Sequence, residues 1–62
     1  MDKEALLQLE RLIIRWRSDA VRKRKEQDKI DRESDDEWYY YEVEAKRLEV
    51  CARELERVLK DA

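Results

Sequence analysis

Histidine, proline, glycine, phenylalanine, threonine and asparagine are all missing from this chain of 62 residues, and cysteine occurs once. Each absence removes a fold or a function. Without histidine, the hydroxyls of Ser18 and Ser34 and the thiol of Cys51 have no imidazole base to activate them, so neither a Ser–His nor a Cys–His arrangement can be assembled. A lone Cys51 closes no intrachain disulfide, and with no histidine beside it no zinc cluster can form. Nowhere does an apolar run approach the length of a membrane span. Near the start, Leu6, Leu7 and Leu9 are interrupted by Glu4, Glu10 and Arg11, which is not the pattern of a signal peptide. From these absences we expect no enzyme, no cofactor, no metal and no membrane association. The unpaired thiol suits a reducing cytoplasm.

What the chain does contain is charge and helix formers. Charged residues make up 52% of it, yet the formal net charge is only −2, which argues against a protein that coats nucleic acid indiscriminately. The distribution is less even than the sum. Residues 22–25 read Arg-Lys-Arg-Lys, and residues 26–37 carry seven acids against Lys29 and Arg32. Acid pairs such as Glu33 with Asp36 and Glu42 with Glu49 could in principle meet a divalent ion. They fall on charged faces rather than on an apolar seam, so we read them as solvated.

Apolar residues recur with a three-four step in both halves. In the second half Trp38, Tyr41, Ala45, Leu48, Ala52, Leu55, Leu59 and Ala62 form one stripe on a helix. In the first, Leu6, Leu9, Ile13, Trp16 and Ala20 form another, which continues at the same spacing as Lys23, Gln27 and Ile30, its apolar character fading beyond Ala20. The first stripe is widened by Ala5 and Leu12 on one side and by Leu7, Ile14 and Val21 on the other. That arc is roughly twice the 100° needed to face one neighbour, so the first helix should touch more than one other helix.

Between Val21 and Trp38 the only aliphatic residue is Ile30, and no glycine or proline marks a turn. The break is read from caps: Ser34 to Glu37 matches a capping box, with Asp35 and Asp36 placed where the helix dipole favours acids. The spacing predicts an all-α, antiparallel hairpin over residues 1–62, with helices at about 3–29 and 35–61 and a connection at about 30–34. Folding back about residue 32 pairs positions whose numbers sum to about 64, setting Arg24 near Glu42 and Arg17 near Glu49. On the opposite rim, Leu12 would meet Cys51 and Ala5 would meet Val58, while Asp19 and Glu44 meet as like charges. The alternative is one continuous helix, about 90 Å long at 1.5 Å per residue, in a coiled-coil rod.

A chain this short buries little surface alone, and it has no disulfide or metal to help. We therefore expect a homodimer, a four-helix bundle, with Ala5, Leu12, Cys51, Val58, Leu7, Ile14 and Val21 at the contact. The leading functional reading is a small protein-interaction module, acting as inhibitor, adaptor or assembly factor through Tyr39, Tyr40, Val43 and Val50. A short reading frame of this kind, beginning at Met1, fits a phage or plasmid product that occludes a host protein. A nucleic-acid-binding regulator is the alternative. It would use Arg11, Arg15, Arg22, Lys25 and Lys29 on one face of the first helix, beside the two tyrosines. No family motif can be matched residue by residue.

Overall fold

In a computed structural model, which describes residues 2–33 and 35–61 apart from the side chain of Asp35, the chain is two α-helices folded against each other. Helix α1 runs Lys3–Asp28 and α2 runs Asp35–Asp61. The hairpin measures 47 × 16 × 12 Å, about half the length of the alternative rod, so the continuous helix is not the fold.

Helix α1 begins where Asp2, in an extended conformation, accepts the Glu4 N–H at 3.4 Å with its carboxylate and the Leu6 N–H at 3.0 Å with its carbonyl. One of the otherwise unpaired first-turn donors is thereby satisfied, the Leu6 bond opens the regular ladder, and Glu4 complements the positive end of the helix. At the other end the helix tightens. Lys29 and Ile30 donate to the carbonyls three residues back, at 3.2 and 3.1 Å, and end the ladder one residue short of the expected position. The Asp31 carboxylate then accepts the Glu33 N–H at 3.2 Å, a local side-chain turn. Among the described residues none has a positive φ. The chain therefore reverses without needing the left-handed conformation for which glycine is usually recruited. The capping box proposed on Ser34, and the last stripe position, Ala62, lie outside the described residues.

Both stripes become the seam. Ile13 and Ala20 of α1 and Ala45 and Ala52 of α2 are buried, and the stripe leucines, Trp16, Trp38 and Tyr41 are half-buried beside them. Alanine at the deepest points lets the helices approach closely, while the larger neighbours close over the gap. Even Lys23, Gln27 and Ile30 stay on the seam, half-buried or buried.

The register differs from simple fold-back. Arg24 does reach Glu42, but Arg17 bonds Glu56, one heptad beyond Glu49, and Glu49 is taken by Arg24. Side chains on a helix lean toward its N-terminus. In α1 that is away from the turn, and in α2 it is toward the turn. Each cross-helix contact is therefore made by an α2 residue farther along the chain than the backbone alone would indicate.

Candidate interaction surfaces

The seam divides the hairpin surface into two edges, and each shows how this sequence handles charge. Along one edge Arg24 donates to Glu42 at 2.6 Å and to both oxygens of Glu49 at 3.0 and 3.2 Å. Gln27, only 4% exposed, accepts from Arg24 at 3.0 Å and donates to Glu42 at 2.7 Å. Arg17 with Glu56, and Lys60 with Glu56 at 3.9 Å, continue the line toward the open end. By sequence Gln27 falls where the apolar character of the first stripe fades. Its seam position was visible in the three-four count, but its bonding depends on Glu42 arriving from a segment 15 residues away.

This network also sets protonation. The hydrogen bond from Gln27, followed by that from Arg24, holds the Glu42 carboxyl below its ordinary value. Arg24 holds Glu49 down likewise, and Glu49 and Glu42 raise the Arg24 guanidinium still further above its own. A carboxylate depressed in the folded state contributes stability above its unfolded pKa, and that stability is lost as pH falls through the folded value. The Arg24 shift lies far above neutrality and leaves the acid limb untouched. Melting temperature is thus expected to hold from neutral pH down to about 4.5 and to fall below it. In the Arg24→Gln variant that acid limb should flatten in part, because Glu49 loses the bonds that depress it while Gln27 still holds Glu42 down. Circular dichroism melts from pH 7 to pH 3 check this, and an unchanged acid limb in Arg24→Gln would contradict it.

The other edge carries the predicted clash of Asp19 with Glu44, and the chain supplies its own cations there. Arg22 bonds Asp19 at 3.1 Å, Lys29 bonds Glu26 at 3.3 Å, and Lys23 shares a shallow surface depression with Asp19 and Glu44. The Lys23 ammonium also lies 5.3 and 5.6 Å from the ring centres of Tyr40 and Tyr41, and Arg32 lies 5.4 Å from that of Trp38. No external cation is needed to explain the acids.

The basic residues singled out on α1 are therefore divided. Arg22 and Lys29 are spent on neighbouring acids, whereas Arg11, Arg15 and Lys25 make no ion pair among the described residues. At the turn end Tyr39 and Tyr40 are exposed, Tyr39 edge-on to Trp38 at 5.3 Å and Tyr40 edge-on to Tyr41 at 5.2 Å. Val43 and Val50 follow them on the outer side of α2, also exposed.

The expected dimer residues separate into two faces. Leu12 and Ile14 stand about 160° apart around α1 at 100° per residue. Ala5, Cys51 and Val58 are exposed and Leu12 half-buried on the Asp19 edge. Leu7, Ile14 and Val21 lie exposed beyond the Arg17–Arg24 edge, with Ile14 the most open at 67%. Among the described residues no helix is long and apolar enough to cross a membrane. Compared with protein-family models, curated proteins and solved structures, the chain matches none.

Proposed function

We propose that this protein is a non-enzymatic protein-interaction module: a helical hairpin that pairs with a second copy into a four-helix bundle. It would act on a protein partner as an inhibitor, adaptor or assembly factor. One observation carries the reading. Among the described residues eight large apolar side chains, from Leu7 on α1 to Val58 on α2, stand exposed, while the buried apolar core is Ile13 and three alanines. Scattered single apolar residues on a surface need no explanation, but rows of them on helices do. Self-association covers part of this surface, and the Tyr39–Val50 side of α2 offers the residue types that anchor protein interfaces.

Sedimentation equilibrium tests the reading directly. At tens of micromolar the protein is expected at twice its 7.7 kDa chain mass, dissociating on dilution to a hairpin that keeps most of its helicity but melts at lower temperature. A monomer at every concentration would overturn it. The nucleic-acid reading rests on Arg11, Arg15 and Lys25, and it requires a low-salt mobility shift that weakens steeply as salt rises. We expect no such shift, because Arg22 and Lys29 of the same face are already paired with acids and the net charge is negative.

A further inference from the structure

We propose that the second copy docks on the outer stripe of α1, the two α1 helices running antiparallel about a twofold axis beside Ile14. The inference rests on the self-association reading above and specifies its geometry. Leu7, Ile14 and Val21 are spaced by heptads and stand 47%, 67% and 54% exposed, so they form one unpartnered row with its most open member at the centre. A twofold axis at that centre sets Leu7 opposite Val21 of the second copy and Ile14 opposite itself. Apolar residues then meet apolar residues along the whole row.

The charges bordering the row choose the direction. Glu10 borders its first half on one side and Glu4 with Arg11 on the other, and cations border its second half, Arg17 and Lys25. In the antiparallel arrangement Arg11 falls opposite the neutral Ser18. Antiparallel pairing brings Glu10 to Arg17 and Glu4 to Lys25, and the symmetry repeats both pairs. Parallel pairing would set the two flanks crosswise, Glu10 against Arg11 and Glu4 against Lys3 of the second copy, but Arg17 only against Ser18 and Arg24 against Lys25, leaving the cations of the second half without an acid. Arg17 already gives one N–H to Glu56 but has others to offer, its side chain being more than half exposed. Lys3 falls opposite Arg24 with like charge, yet Arg24 is held between Glu42 and Glu49.

The opposite edge does not offer this match. Its apolar residues, Ala5, Leu12, Cys51 and Val58, occupy the open-end half, while Asp19, Glu26, Glu37 and Glu44 occupy the turn-end half. An antiparallel twofold there lays the apolar half on the charged half, and a parallel one crowds the two charged halves together.

Cysteine crosslinking of the full chain, in a Cys51→Ser background, tests the geometry. A disulfide needs Cα atoms within about 4.4–6.8 Å, so only residues that meet will link readily. Under mild oxidation Ile14→Cys is expected to convert most of the protein to covalent dimer. Leu7→Cys and Val21→Cys should link poorly alone but efficiently when mixed. Because all three positions are exposed, these variants retain the fold. Self-linking by Leu7→Cys alone would replace the antiparallel arrangement with a parallel one and overturn the proposal. A dimer in sedimentation that links through Val58→Cys and not through Ile14→Cys would move the interface to the other edge, overturning this geometry while self-association stands. Monomers at all concentrations would remove self-association itself, and this proposal with it.

Discussion

Ile13→Ala should leave the isolated hairpin mostly unfolded. Ile13 is 6% exposed, and the other buried apolar residues among those described are alanines, so it is the large apolar side chain most completely withdrawn from water on the seam. Removing a buried isoleucine down to the β-carbon typically costs about 2–5 kcal/mol, combining lost transfer energy with the cavity left behind. A chain this small rarely commands more than about 3–5 kcal/mol from its core. Two helices hold each other in place here, and helices of this length gain little stability in water without packing. Loss of the contact therefore removes helicity as well as tertiary structure. The neighbouring residue is the control: Ile14→Ala, on the exposed row, should shift stability by no more than about 0.5 kcal/mol under conditions where the chain is monomeric. Far-ultraviolet circular dichroism with thermal melts at low micromolar concentration separates the two. Equal effects from these adjacent isoleucines would show that the seam does not pass through Ile13.

The converse change fails for the opposite reason. Ala45 and Ala52 have no exposed surface, and they sit on the seam between α1 and α2. Leucine at either position has nowhere to go unless the helices separate, which would also pull Arg24 and Gln27 away from Glu42. Overpacking of this kind costs about 1–3 kcal/mol. For a domain of this size each kcal/mol lowers the melting midpoint by about 4–8 °C. Both Ala45→Leu and Ala52→Leu are thus expected to melt well below the parent, although leucine is nearly as good a helix former as alanine. Ala5→Leu, on exposed surface, should melt like the parent. If Ala45→Leu and Ala52→Leu proved as stable as the parent, close approach at the alanines would not be what holds the hairpin.

The electrostatic edge acts on a smaller scale and in a different way. Its charges are about one-third exposed, and water screens them. They select how the two helices align more than they hold them together. Gln27 adds to that selection, because a buried amide that slid away from Glu42 would lose its acceptor. A polar residue on an otherwise apolar seam is a known means of fixing helix register.

The three-four spacing of apolar residues was sufficient to determine the seam. Every described position counted into the two stripes, from Leu6 to Leu59, is buried or half-buried. This works because one rotation per residue fixes which side chains share a face, whatever the helix later packs against. The polar middle, with Ile30 as its one aliphatic residue, equally determined where a helix would have nothing to pack on and the chain was free to turn. Only the tertiary structure decided how far one helix slides along the other, and so which charges meet. Arg17 with Glu56, Arg24 between two glutamates and Gln27 on Glu42 all depend on the lean of side chains and on the distance between helices. Those are properties of two elements together, and no periodicity within one of them contains that information.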